Sequence, residues 1–274
     1  MKVAVVTIAA RRDRHLRMQL RSLERSQRTC DDHIVVAMGD PRTMDTVSEN
    51  GHARGIWLDH DDGPLPLAAA RNAGADAALA AGADLLVFLD VDCLASEGLL
   101  GCYVSAAEHP DNRSALLSGP VTYLPPPEPA GYDLAGLGRL RSPHPARPAP
   151  PPGTVTAGSD FDLFWSLSFA VGRATWQHIG GFCTDYTGYG GEDTDFAQTA
   201  RAAGVGLRWV GGADAFHQYH PVSDPPVEHL RDILTNAHTF HRRWGWWPMQ
   251  GWLRAFEADG LIEYDRDRRT WVRS

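Results

Sequence analysis

The run Leu85-Leu86-Val87-Phe88-Leu89-Asp90-Val91-Asp92 decides how the chain is read. Five apolar residues without polar alternation predict a strand buried on both faces, and two acids follow at its carboxyl end. Working outward toward the N-terminus, Val3 to Ile8 is a second short, β-branched strand. Leu16, Leu20 and Leu23 give a buried stripe to a helix over about 13–27. Ile34 to Met38 is another strand, ending at Gly39-Asp40-Pro41, and Gly55 to Leu58 is a weaker one. Ala68 to Ala81 is an alanine-rich helix closed by Gly82. Strands alternating with helices predict an α/β fold with a mostly parallel sheet. Such sheets bind ligands beyond the carboxyl ends of their strands, where Asp40 and the Asp90/Asp92 pair lie.

In the other direction, Leu116 to Tyr123 is a strand. The composition then changes: between residues 124 and 157, Pro125-Pro126-Pro127, Pro143, Pro145, Pro148 and Pro150-Pro151-Pro152 exclude core helix or central strand. A long loop within one domain is expected. Leu163 to Val171 reads as a strand, Arg173 to Ile179 as a helix, Glu192 to Ala203 as a helix and Val205 to Val210 as a strand. The organisation expected is a nucleotide-binding part (1–123), a proline-rich loop (124–157), an acceptor and catalytic part (158–220) and a helical, tryptophan-rich extension (221–274). Its main helix runs over about 226–244.

With 43% hydrophobic residues the chain can bury a core, and its formal charge of −8 argues against nucleic acid as a partner. Lys2 is the one lysine among 26 basic residues, a bias expected of a GC-rich bacterial genome. Cys30, Cys93, Cys102 and Cys183 have no CxxC or zinc-type spacing, so a reduced, cytoplasmic protein is expected. No signal peptide is read at the N-terminus, and no apolar run approaches the ~20 residues needed to span a bilayer. Arg14, Arg17, Arg21, Arg25 and Arg28 share one helix face. A solvated surface is the plainer reading, with peripheral membrane contact or another anionic partner as the alternative.

Three constellations carry chemistry. Asp90 and Asp92, two apart on extended chain, point to one side and suit a hard divalent ion such as Mg²⁺ or Mn²⁺ shared with a diphosphate. D-x-D alone also occurs as a simple turn cap. Gly188-Tyr189-Gly190-Gly191-Glu192-Asp193-Thr194-Asp195 places three acids at a helix start behind three glycines. Acids there favour the helix dipole, but one would suffice for that. A carboxylate in such a turn can take the proton of an attacking hydroxyl. In Phe216-His217-Gln218-Tyr219-His220-Pro221, either imidazole can complete the coordination of a transition-type ion, or both can be structural.

Pro66-Leu67-Ala68-Ala69-Ala70-Arg71-Asn72-Ala73-Gly74, followed by Phe88-Leu89-Asp90-Val91-Asp92, resembles the ARN-x-G … FLD-x-D segment of family 2 glycosyltransferases. The segment 188–196 is similar to the GWGGED motif of galactosyltransferase-like and polypeptide N-acetylgalactosaminyltransferase-like enzymes, with Tyr189 where many relatives carry Trp. The resemblance covers roughly 2–221 apart from the proline-rich loop. It implies a GT-A (Rossmann-like) fold and an inverting, metal-dependent transfer of a hexosyl or N-acetylhexosaminyl group. The donor implied is a nucleotide diphosphate sugar, UDP-linked by preference, and the metal Mn²⁺ or Mg²⁺. The acceptor would be a glycan, peptide or small molecule. On this resemblance Thr7, Ala9 and Asp40 would lie by the nucleotide, Arg71 would hold the donor, and Asp90 would face ribose or metal. Asp92 and His217 would bind metal, with His220 the rival of His217. Asp193 would be the base and Glu192 its positioning partner. Tyr189, Gly190 and Gly191 would meet the acceptor. Apart from the resemblance, Trp244, Trp246, Trp247 and Trp252 either pack the C-terminal helix against the core or offer flat faces to a sugar, in which case Trp246 would edge the acceptor site.

Other readings are weaker. Nucleotidyl transfer wants a glycine-rich basic loop that residues 7–12 lack. A non-catalytic sugar-binding relative need not keep Asp90, Asp92, Asp193 and His217 together. A glycosidase does not explain Arg71-Asn72.

Overall fold

The computed structural model describes residues 1–129, 131–221 and 223–274. Its strands are β1 (Val3–Ala9), β2 (Asp32–Met38), β3 (Arg54–Leu58), β4 (Leu85–Leu89), β5 (Cys93–Ala95), β6 (Ala115–Ser118), β7 (Val121–Tyr123), β8 (Val155–Gly158), β9 (Ser168–Gly172), β10 (Gly206–Val210), β11 (Ala215–His217), β12 (Ile262–Asp265) and β13 (Thr270–Arg273). The helices are α1 (Asp13–Glu24), α2 (Pro41–Asn50), α3 (Leu67–Ala80), α4 (Leu99–Glu108), α5 (Arg173–Ile179), α6 (Glu192–Ala202), α7 (Leu230–Trp244) and α8 (Gln250–Ala258).

The main sheet has the order β3-β2-β1-β4-β9-β6-β10-β8. β3, β2, β1 and β4 are mutually parallel, β9 runs antiparallel between β4 and β6, and β8 is an antiparallel edge strand on β10. The sheet is therefore mixed and mostly parallel. Every residue of β1 and β4 is buried, as the unbroken apolar runs require for strands covered on both faces. Ala4, Val6, Phe88 and Val171 pack with α3 and α6 on one side; Val3, Val5, Leu85 and Val87 pack with α4 on the other.

Gly74 sets how closely α3 approaches the sheet. A Cβ there would fall 2.4 Å from Val6 Cγ1 and 3.2 Å from Val36 Cγ2, so only glycine lets the helix sit at this depth. Arg71, one turn earlier, is thereby carried to the carboxyl edge of β4.

A three-stranded sheet, β5-β11-β7, lies next to that edge. In its register His217 stands opposite Cys93 on one side and Tyr123 on the other, which brings the histidine segment against the residue that follows Asp92.

The proline-rich segment is less plain than its composition suggests: a 3₁₀ turn covers Leu134–Leu140, and its end forms β8. The C-terminal extension is not wholly helical. The β12–β13 hairpin closes on α7 and α8 over Ile233, Leu253, Phe256, Ile262 and Trp271. Among the described residues no helix is long and apolar enough to cross a membrane, and the four cysteines are free thiols. Of the arginines expected on one helix face, Arg17 lies in α1 and Arg25 and Arg28 lie beyond its end; they pair with Glu49, Glu97 and Asp31 at the surface, as the solvated reading expects.

Candidate active site

A cavity of about 730 Å³ opens beyond the carboxyl ends of β1 and β4. Size alone does not single it out, since a cavity of about 800 Å³ lies between α4 and β10. The motifs do. Arg71, Asp90, Asp92, Gly188, Tyr189, His217 and His220 all line the former.

Arg71 joins the motifs. It is buried, and its guanidinium donates from Nη1 to Glu192 Oε1 at 3.1 Å and from Nη2 to Asp90 Oδ1 at 3.1 Å. It also lies 5.2 Å from the centre of the Phe182 ring. Phe182 is fixed by the next residue of the same motif: Asn72 donates to its carbonyl at 2.8 Å and accepts from its N–H at 2.9 Å. Burial raises the pKa of Asp90, reinforced by the Asp92 charge and opposed by Arg71. Glu192 is pushed up to about 7 by burial and by the charge of Asp193, which together outweigh Arg71.

Asp92 stands at the centre of a second group. Its Oδ2 is 3.4 Å from His217 Nε2 and 3.6 Å from His220 Nε2. Burial opposes ionisation of Asp92, but the two histidines overcome it and hold the carboxyl well below its usual range. Burial lowers the His217 pKa, yet its bond to Asp92 leaves it raised. Two ligands cis on a metal at ~2.1 Å stand about 3 Å apart, so this trio fits one ion, and its mixed N/O set suits a transition-type cation. The backbone holds the group in place: Gln218 N–H donates to the Asp92 carbonyl at 2.7 Å. From α1, Gln19 Nε2 reaches the carbonyls of Asp90 (2.6 Å) and Cys93 (3.2 Å).

Asp193, half-buried, receives the Thr194 N–H at 2.7 Å. Burial nonetheless raises its pKa, against the pull of Arg71. The far side of the cavity is aromatic: Tyr189 stacks on His229 at 4.5 Å and lies 5.8 Å from Trp252.

A family profile described as the N-terminal domain of galactosyltransferase matches residues 158–221. Two relatives are validoxylamine A glucosyltransferases of Streptomyces hygroscopicus. That of subspecies limoneus is 28% identical over 254 aligned positions, covering 79% of this chain and 52% of its own length. That of subspecies jinggangensis is 28% identical over 236, covering 73% and 52%. The chain thus spans about half the length of the curated relatives it matches. Among solved structures, S. aureus TarS 1-349 superimposes with a TM-score of 0.58 at 12% identity, over 92% of this chain and 74% of that one. GalNAc-T7 with UDP, GalNAc and Mn²⁺ superimposes with a TM-score of 0.56 at 12% identity, over 94% and 57%. The fold is that of the GT-A glycosyltransferases.

Not every expected residue lies in the GT-A cleft. Thr7 and Ala9 are buried on the opposite face of β1, because side chains alternate along a strand. Thr7 Oγ1 meets Gln19 and the Leu89 carbonyl, Ala9 packs with Leu16 and Val35, and it is Ile8 and Ala10 that line the cavity. Asp40 caps α2, accepting from the Arg42 N–H (3.2 Å), the Thr43 hydroxyl (2.7 Å) and the Arg11 N–H (2.7 Å). Those bonds outweigh burial and lower its pKa, so its carboxylate is already engaged. Trp246 packs edge-on against Phe240 at 4.6 Å, and Trp252 takes the cavity edge. His217 and His220 both face Asp92. Gly190 and Gly191 lie against Met249 and Tyr186, each with positive φ. Gln19, Tyr123, His229 and Asp232 belong to the site's surroundings, although no local motif marks them. The third acid, Asp195, is structural: it accepts from Tyr186 Oη, Arg243 Nε and Trp244 Nε1.

Proposed function

We propose that this chain is an inverting glycosyltransferase that moves a hexose from a UDP-sugar to an acceptor hydroxyl with a divalent metal. The observation that carries the reading is the Arg71 bridge, which joins Asp90 at the strand end to Glu192 of the glycine-led motif, with Arg71 and Asp90 lining the cavity. UDP and Mn²⁺ are favoured by the contents of the GalNAc-T7 structure, and glucose by the names of the Streptomyces relatives. A polyhydroxylated small molecule, as those names suggest, fits the aromatic wall of Tyr189 and Trp252.

Asp92, His217 and His220 would hold the ion. When bound it supplies Lewis-acid stabilisation of the departing diphosphate. Asp193 accepts the acceptor proton as the acceptor oxygen bonds to the anomeric carbon. The bond from that carbon to the diphosphate breaks, and its electron pair leaves on the phosphate oxygen. A raised pKa suits Asp193 to this role. Arg71 keeps Glu192 and Asp90 in register around the reacting carbon.

Thermal-shift and calorimetric titration with UDP, GDP, dTDP, CDP and ATP, each with and without Mn²⁺, tests the reading. A nucleotide at a hundred times its Kd stabilises the fold by about 2.7 kcal/mol. Stabilisation by UDP that requires Mn²⁺ and vanishes in Asp92→Ala is expected. Silence toward every nucleotide in Mn²⁺ would remove the donor site.

A further inference from the structure

The proline-rich segment sends one charge into the interior. Arg147 is 5% exposed, with its guanidinium carbon 5.0 Å from the ring centre of Trp165 and 5.1 Å from that of Trp209. Nη2 donates to Ser118 Oγ at 2.5 Å, whereas Nε and Nη1 have no acceptor. Among the described residues no carboxylate pairs with it. A buried cation with two idle donors is unfavourable, and two aromatic faces offset only part of the loss. Burial pulls its pKa down to about 10, so it remains charged at neutral pH. For filling space alone, methionine or leucine would serve better.

Its neighbours supply the reason. Trp165 meets His144 edge-on at 5.0 Å, His144 meets Tyr123 at 5.9 Å, and Tyr123 tilts over His217 at 4.7 Å. The backbone locks the same line: His144 N–H donates to the Val121 carbonyl at 2.9 Å, and Ser142 N–H to Thr122 Oγ1 at 3.0 Å.

We infer that Arg147 is a positioning residue: wedged between Trp165 and Trp209, it fixes Trp165 and, through it, the His144–Tyr123 wall that meets His217. Arg147 itself makes no hydrogen bond or ion pair to Asp193 or His217. The mechanical claim stands on the geometry, and its catalytic consequence rests on the transferase reading.

Hydrogen–deuterium exchange on wild type, Arg147→Met and Arg147→Lys tests the first. With methionine, exchange over residues 121–123 and 164–168 should quicken about tenfold or more while the far β1–β2 strands stay protected. Lysine, which keeps the charge and an aliphatic stem, should restore part of the protection. If the methionine variant does not fold, the same two stretches in the lysine variant decide, loosening to a smaller degree. Turnover is read as UDP released from UDP-glucose: kcat should fall about tenfold, since small misplacements of reacting groups are costly, with KM within about twofold. Quickened exchange confined to residues 124–157, or a variant kcat equal to that of a wild type that turns over, overturns the inference. Should wild type release no UDP, the transferase reading falls, while the exchange pattern still decides whether Arg147 positions these walls.

Discussion

Arg71 and His33 are both buried, and they show two ways in which this interior handles ionisable groups. Arg71 keeps its charge because Asp90 and Glu192 lie at hydrogen-bond distance on either side of the fork. Removing the arginine would strand two carboxylates, the situation in which buried ion pairs matter most. His33 does the reverse. It lies beside Thr7 Oγ1 at 3.2 Å and pairs with no carboxylate among the described residues, and burial pulls its pKa down to about 4 from the ordinary 6.5. The unfolded chain therefore binds a proton between pH 6.5 and 4 that the native chain does not, and stability falls as pH drops through that window. The contribution amounts to about 3 kcal/mol, complete above pH 6.5 and lost near pH 4. His33→Gln keeps a polar contact for Thr7 without a titratable ring. Urea denaturation at pH 7 and pH 4.5 should show the variant losing less stability than wild type, and equal losses would mean that His33 is not held neutral.

At the scale of elements, the legible parts were those whose reasons are local. The β4 run and its two acids, the alanine-rich α3 and the glycine-led start of α6 carry their structure in consecutive residues. α2 was missed although Asp40 and Pro41 form a capping signal, because Thr43, Asp45 and Ser48 leave no apolar stripe. β5, β7 and β11 are three residues each and exist through their partners. The places of Thr7 and Ala9 turned on strand parity, which a one-residue choice of face inverts. Arg147 was invisible because Trp165 and Trp209 reach it from separate elements. Gly74 shows a local residue with a long-range reason. Alanine is the better helix former by about 1 kcal/mol, so an isolated helix would gain from Gly74→Ala. Here the new methyl would meet Val6 and Val36, and overpacking of this kind costs about 1–3 kcal/mol. The variant should be less stable by denaturant titration and should also bind UDP–Mn²⁺ more weakly, because Arg71 rides on the same helix. A gain in stability would show that α3 can slide without penalty.

For the molecule as a whole, the question is whether residues 226–274 are an appendage or part of the site. They have their own small core around Ile233, Leu253 and Phe256. Yet α7 is bound to the motif loop at three points. Asn236 donates to the carbonyls of Thr187 (2.9 Å) and Tyr189 (3.3 Å). Asp232 accepts from Tyr189 N–H at 3.3 Å, in a space that only a glycine at 188 leaves open. Asp195 holds Arg243 and Trp244, both at 2.7 Å, from a position 1% exposed. Asp195 is the strongest of these ties, being a buried carboxylate that pairs with a cation, and hydrogen bonds to an ionised group contribute about 1.5–3 kcal/mol. Asp195→Asn keeps the shape, loses the charge and leaves Arg243 without its partner. In wild type, tryptophan fluorescence, weighted toward Trp244, Trp246, Trp247, Trp252 and Trp271, should unfold together with the far-UV circular dichroism of the sheet. In the variant the fluorescence transition should come first, at lower denaturant, as the C-terminal unit detaches from α6. Coincident and unshifted transitions would mean that Asn236 and Asp232 suffice, and that the buried carboxylate serves α6 alone.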